Sequence, residues 1–200
     1  MFIDSLEGFE CLWQAGSARE ALDFISKMPP DVVILDITLP DRSGLEVIKD
    51  VQSMCPAVAI LVLSMHDEKL YALRGLKAGA RGYVMKNAPH AVLEAALRRV
   101  AEGGLVVSPL VAEMLAGAYS TGGKKRPDNE LHSLSDREFE VFQRIGEGCG
   151  NLEIAEALRI SSKTVDVHRM NIRTKLGLED GAALTRWAIR WTESRRHGAE

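Results

Sequence analysis

Val32–Gly44 reads VVILDITLPDRSG. Four apolar, mostly β-branched residues run straight into an aspartate, and a Pro-Asp-Arg-Ser-Gly turn follows. A continuous run of this kind marks a strand buried on both faces, so Val32–Asp36 is expected to be an interior strand with Asp36 at its end. Downstream, Ala59–Ser64 (AILVLS) and Arg81–Lys86 (RGYVMK) are two more such runs. Helical spacing separates them. Leu45, Ile48 and Val51 recur within Gly44–Met54, Asp67–Ala78 is a second helical stretch, and Pro89 opens a third with Val92, Leu93, Ala96, Leu97 and Val100 on one face. Upstream, Phe9–Ala15 (FECLWQA) reads as another strand. Ser17 with Glu20 forms a capping-box pattern before Ala21, Leu22, Ile25 and Met28, and Pro29-Pro30 ends that helix.

Strands alternating with helices at this spacing predict a parallel, doubly wound α/β sheet. Such sheets carry their chemistry at the carboxyl ends of the strands. Asp36, Ser64 and Lys86 each close a strand there. A carboxylate can act as a nucleophile toward a phosphoryl group, and a lysine and a hydroxyl can neutralise and orient the transferring oxygens. Taken singly, each residue reads more simply as a turn cap or a solvated side chain; together they point to phosphoryl chemistry.

Beyond a short helical stretch, Pro109–Tyr119, the segment Ser120–His132 (STGGKKRPDNELH) has almost nothing to bury and reads as a linker. Strand signals then stop, leaving helical patterns at Asp136–Glu147, Asn151–Leu158, Ser162–Leu176 and Gly181–Thr192. Ser135 and Glu138 form a second capping box, and Ser161 is a good N-cap. Two short helices joined at Arg159-Ile160-Ser161 suggest a helix-turn-helix. On a helical wheel, Val165, Ile172 and Leu176 of Ser162–Leu176 make the core stripe, flanked by His168 and Arg169. Lys163, Val167, Met170 and Thr174 point away. Residues 157–176 hold five Lys/Arg against the single acid Asp166, so Lys163, Arg173 and Lys175 are candidates for phosphate contacts. Val167 and Met170 suit thymine methyls, and Asp166 or Asn171 a hydrogen-bonding base edge. A solvated basic face on a small bundle is the plainer alternative.

The 200 residues are 46% hydrophobic and 26% charged with a net charge of −3, ordinary for a globular chain. No apolar run approaches the ~20 residues of a membrane helix, and MFIDSLEGFE lacks a signal-peptide pattern. Cys11, Cys55 and Cys149 are scattered, as in a reduced, cytoplasmic protein.

With these motifs assembled, LDITLPDRSG, LVLS and GYVMK resemble the receiver domain of two-component response regulators over about residues 9–103. The resemblance implies that Asp36 is the phosphoacceptor for a sensor histidine kinase. It also implies that Ser64 and Tyr83 are the switch pair, that Lys86 binds the phosphoryl oxygens, and that Mg²⁺ is held by Asp36 and the Thr38 carbonyl. LSDREFEVFQRIGEG and NLEIAEALRISSKTVDVHRMNIRTKLGL resemble the LuxR-type DNA-binding domain over about 65 residues, with SSKTVDVHR (Ser161–Arg169) the most characteristic part. That resemblance puts Lys163, Thr164, Val167, His168, Met170 and Lys175 on the DNA side, and implies a homodimer on double-stranded DNA. Gly150 stands where a capping serine is usual.

The combined build is that of NarL/FixJ-type regulators. Its implied fold is a flavodoxin-like, doubly wound α/β receiver lacking the first strand and most of the first helix (1–103), then a short helix and linker (104–132), then an all-α, four-helix helix-turn-helix domain (133–200). The family's first strand ends in two acids that hold Mg²⁺. Met1–Asp4 cannot replace it, because Ser5–Gly8 is far shorter than the roughly twelve-residue crossover a parallel pair needs. The expectation is therefore a misplaced start or a truncated remnant, weak Mg²⁺ binding, and poor phosphorylation of Asp36. Two readings of function follow: a transcription regulator gated at Asp36, or a phosphorylation-independent DNA binder with a vestigial receiver. An enzymatic reading, with Asp36-x-Thr38 as a phosphatase nucleophile motif, lacks a second acid at Thr38, and no P-loop or dinucleotide fingerprint is present.

Overall fold

A computed structural model describes residues 2–120, 131 and 133–196, which divide into two compact units, Met1–Gly122 and Gly123–Glu200. In the first unit a 3-10 turn at Ile3–Ser5 precedes α1 (Ala18–Lys27), β1 (Val32–Leu35), α2 (Gly44–Met54), β2 (Ala59–Ser64), α3 (Glu68–Ala78), β3 (Gly82–Met85), α4 (His90–Ala101) and α5 (Pro109–Ser120). The strands form a parallel sheet in the order β1-β2-β3, with Val33 opposite Ile60 and Val62 opposite Tyr83. Helices cover both faces, as a doubly wound sheet requires. Alternate residues of β2 divide between them. Ala59 and Leu61 pack with Ala96, Leu97 and Val100 of α4, while Val62 lies toward Gly75 of α3. Val106 adds a parallel bridge beside Gly82, and α5 packs against α3.

One strand expectation is corrected. Phe9–Ala15 forms no strand. In the sheet order implied by the resemblance, this segment would pair only with the first strand of the family, and a β run without a ladder partner leaves its N–H and C=O groups to other acceptors and donors. Here the segment is held by other contacts. The Cys11 amide donates to Asp4 Oδ1 (3.0 Å), and the Trp13 indole donates to the Met28 carbonyl (3.1 Å) while its ring stacks on Phe24. The outer edge of β1 pairs with no strand among the described residues. Residues 2–9 instead complete the α4 face: Phe2, Ile3, Leu6 and Phe9 pack onto it, and Arg98 donates to the Glu7 carbonyl (3.1 Å) and lies over the Phe9 ring.

The second unit holds α6 (Asp136–Gly146), α7 (Asn151–Ala157), α8 (Ser162–Leu176) and α9 (Gly181–Arg196). The linker expected at 120–132 lies almost wholly outside the described residues. The Ser135–Glu138 capping box forms in full: the Ser135 amide donates to Glu138 Oε2 (2.7 Å) and the Glu138 amide to Ser135 Oγ (3.3 Å). Gly150 contributes no side chain, so only half a box remains at α7, the Gly150 amide donating to Glu153 Oε2 (2.7 Å). Phe139, Phe142, Ile145, Ile154, Val165, Ile172, Leu184 and Ala188 form the core. At Gly146, α6 lies so near α9 that a Cβ would meet the Thr192 hydroxyl and, at 2.7 Å, the Ala188 carbonyl oxygen. Arg159, between α7 and α8, has φ 50°. This tight left-handed turn is what lets two short helices pack at once against α6.

Candidate functional site

Asp36 leaves the end of β1 with both carboxylate oxygens engaged. Oδ1 accepts from the Thr38 amide (3.0 Å), and Oδ2 pairs with the Lys86 ammonium carried just beyond β3. The Lys86 amide donates to the Ser64 carbonyl (2.9 Å), which holds two of the strand ends in register. The three residues read from separate strand ends thus form one cluster.

His66, which sequence reasoning missed, organises the remainder. Its amide donates to Ser64 Oγ (3.1 Å), its carbonyl accepts from the Tyr83 hydroxyl (2.7 Å), and its Nε2 lies 2.8 Å from Thr38 Oγ1. Its ring also packs on Tyr71 at 4.6 Å. Ser64 and Tyr83 are both buried, and burial pushes the Tyr83 phenol up to about 12, so it stays a neutral donor. The only signal in the sequence was position: an imidazole two residues past a strand-ending serine. Asp41 was also missed. It accepts from the amides of Ala18 (2.8 Å) and Arg19 (3.0 Å), tying the start of α1 to the loop that follows Asp36. Burial opposes its ionisation, but these donors, Arg19 first, outweigh it and hold its pKa below the ordinary value.

For a divalent cation the cluster shows one carboxylate, already ion-paired with Lys86, to which the resemblance adds only the Thr38 carbonyl. No group of three or more His, Cys, Asp or Glu side chains that could hold a metal occurs among the described residues. A hard octahedral ion bound by protein oxygens needs more than this, so the residues present do not fit Mg²⁺.

In the second unit, Ser161 Oγ accepts from the Thr164 amide (3.0 Å) and starts α8. Val165 and Ile172 are fully buried, and the opposite side of the helix is open: Lys163 is exposed, Val167 is 45% exposed and Met170 55%. Thr164 and His168 are half-buried at the margins. Three of the cations read from the sequence are committed elsewhere. Arg169 donates to Thr185 Oγ1 (3.2 Å), Arg173 to the Glu179 carbonyl (2.6 Å), and Lys175 to Glu138 Oε2 (2.6 Å). Asp166 accepts from the Asn151 side chain of α7 at 2.5 Å. Among the described residues no helix is long and apolar enough to cross a membrane.

The Lys175–Glu138 pair carries a testable consequence. Burial opposes ionisation of Glu138, but Lys175 and the Ser135 donors outweigh it and lower its pKa from 4.5. A carboxyl whose folded pKa is depressed adds stability above its unfolded value, and this is lost as pH falls through the folded one. Acidifying from about pH 6 to about pH 3 should therefore lower the urea midpoint of the second unit, and Glu138→Gln should flatten that slope. Lys175→Met, which strands the carboxylate, should cost about 1–3 kcal/mol at neutral pH. Equal slopes in the wild type and Glu138→Gln would refute the assignment.

Residues 2–98 match the model of the response regulator receiver domain, and residues 132–188 that of the bacterial regulatory proteins of the luxR family. The chain is 34% identical over 194 residues to the oxygen regulatory protein NreC of Staphylococcus carnosus, covering 95% of this chain and 89% of that one, and 33% identical to NreC of Staphylococcus aureus over the same span. Among solved structures it is similar to RcsB from Salmonella enterica serovar Typhimurium bound to promoter rprA in the presence of phosphomimetic BeF3- (TM-score 0.62, 27% identity, 93% of this chain and 88% of that one). A LuxR-family two-component response regulator from Aurantimonas sp. SI85-9A1 matches at TM-score 0.54 and 32% identity, over 58% of this chain and 84% of that one. Receiver domains of the matched family use Mg²⁺ for phosphorylation. The chain belongs to the LuxR-type response regulators, DNA-binding transcription regulators of two-component systems that join a receiver domain to a helix-turn-helix module.

Proposed function

We propose that this regulator binds double-stranded DNA as a homodimer, with α8 in the major groove and Lys163, Thr164, Val167, His168 and Met170 at or beside the DNA. We propose further that Asp36 is the position addressed by a sensor histidine kinase, in the cytoplasm, with Ser64, Tyr83 and Lys86 around it. The observation that carries the DNA reading is the exposed apolar pair Val167 and Met170 beside Lys163, on a helix anchored by fully buried residues on its other side. Apolar side chains presented on a rigid helix suit thymine methyls, and a flanking lysine suits phosphate. Lys175 contributes indirectly, by holding Glu138 and with it the start of α6. At Asp36, a phosphoryl oxygen would accept from the Ser64 hydroxyl, whose oxygen already accepts from the His66 amide, and the His66 carbonyl is the acceptor of Tyr83. Charge at one carboxylate is thereby coupled to a buried aromatic ring.

A second reading, DNA binding independent of phosphate, is favoured by the same cluster. Asp36 already has both oxygens engaged, and few oxygens are left for a metal. Incubation with acetyl phosphate and Mg²⁺ is expected to label Asp36 well short of one phosphoryl group per chain; near-stoichiometric labelling would reject that expectation. Mobility shift on duplex DNA with and without the donor separates the two readings. Equal affinity supports the second, and a donor-dependent gain supports gating at Asp36.

A further inference from the structure

The exposed stripe of α8 is not the basic surface that the charge count of residues 157–176 suggests. Arg169, Arg173 and Lys175 are bound within the unit, and the residues left at i, i+3, i+4 and i+7 are Lys163, Asp166, Val167 and Met170. In the middle of this stripe stands a carboxylate. Between two phosphate backbones such a group is repelled, so it costs affinity for every sequence that offers it nothing in return. It is also held in place. Asn151, the first residue of α7, donates its side-chain amide to Asp166 Oδ1 at 2.5 Å, joining the two helices of the motif. A carboxylate has about four acceptor sites, so this single bond orients the group and leaves acceptor capacity facing outward.

We propose that Asp166, oriented by Asn151, sets the base preference of this regulator by requiring a cytosine amino group in the major groove, with thymine methyls adjoining it against Val167 and Met170. The inference rests on the DNA-binding reading above and makes it specific. An ionised carboxylate only accepts hydrogen bonds, and cytosine presents the N4 amino donor with no acceptor of its own in the major groove; adenine sets the N7 acceptor beside its N6 donor, which repels a carboxylate, and guanine presents two acceptors. Val167 and Met170 offer neither donor nor acceptor, so only the thymine methyl rewards them. Asn151 is a positioning residue in this scheme. It fixes where the acceptor points and touches no base.

The test uses the full chain, a randomised duplex pool at low salt, and sequencing of the bound fraction. The wild type is expected to enrich cytosine at one position of each half-site, with thymine beside it. Asp166→Asn turns the acceptor into an acceptor and donor, which matches adenine. It should move that position from cytosine to adenine by about tenfold, the ratio equivalent to one good base contact, while raising affinity for random DNA. Asn151→Ala should blur the cytosine preference with little change in total binding, which a merely structural role would not do. Deoxyuridine in place of the adjoining thymine should weaken binding several-fold. An unchanged preference in Asp166→Asn, or an affinity gain uniform across all sequences, would overturn the proposal and leave Asp166 a simple repulsive charge. Failure of the wild type to bind any duplex would overturn the DNA-binding reading itself.

Discussion

Phe142→Ala is expected to destabilise the C-terminal unit by about 3–5 kcal/mol, the cost of emptying a fully buried aromatic site. That is a large part of the stability available to a unit of this size, since whole domains hold only about 5–15 kcal/mol. Phe142 is fully buried on α6, and the rings of Trp187 and Trp191 on α9 lie 5.2 and 5.3 Å from it. Trp191 also meets Phe139 edge-on at 6.2 Å, so α9 rests on α6 through one aromatic cluster. Because α6 also supports α8, removing Phe142 loosens the platform behind the exposed stripe. Urea unfolding followed by tryptophan fluorescence in a Trp13→Phe background reports on this unit through Trp187 and Trp191. The midpoint should fall sharply, and duplex binding at the working temperature should fall with it. A loss below about 1 kcal/mol would mean that the site collapses around the vacancy and that the cluster does not carry the unit.

Gly44→Ala should have the largest effect in the first unit. A Cβ at Gly44 would lie 2.5 Å from the Asp36 carbonyl oxygen and 2.6 Å from Ile37 Cα, both backbone atoms that cannot rotate away. The Gly44 amide meanwhile donates to the Ile37 carbonyl at 2.8 Å, closing the loop that carries Asp36. The added methyl must push α2 and this loop apart, at an overpacking cost of about 1–3 kcal/mol or more. The displacement falls on the Asp36 backbone itself. Gly44→Ala should therefore lower the stability of the first unit and displace Asp36 from Thr38 and Lys86, read as a lower urea midpoint together with a changed extent of Asp36 labelling. Gly103→Ala is the control for glycine replacement as such: its φ of 82° strains a side chain, yet its Cβ would meet nothing within 4 Å. Equal stability and equal labelling in Gly44→Ala and the wild type would disprove the close-approach argument.

What could be read in the chain follows from what is local. The runs Val32–Leu35, Ala59–Ser64 and Gly82–Met85 are strands because each is apolar on both faces, and the stretches between them are helices as their apolar spacing predicts. Ser135 with Glu138 makes the full capping box its spacing announces. Phe9–Ala15 shows where local reading fails. Its composition suits a strand, but a strand exists only with a ladder partner, and partnership is not a property of the segment. His66 and Asp41 were missed for a related reason: each acts across the fold, His66 on Thr38 and Tyr83, Asp41 on Ala18 and Arg19.

The amino-acid order alone established the alternating parallel architecture, the three strand-end residues Asp36, Ser64 and Lys86, and the helix pair with its buried and open sides. All of these are repeats or spacings within a few residues, where backbone geometry dictates which side chains share a face. Tertiary structure decided which charges remain available. Lys175, Arg169 and Arg173 look alike as basic residues in the sequence, yet folding gives each an internal acceptor, while Asp166 is left on the open stripe and held by Asn151. Whether a charged group is free or bound depends on partners brought near by packing. That is a long-range property which no local pattern encodes.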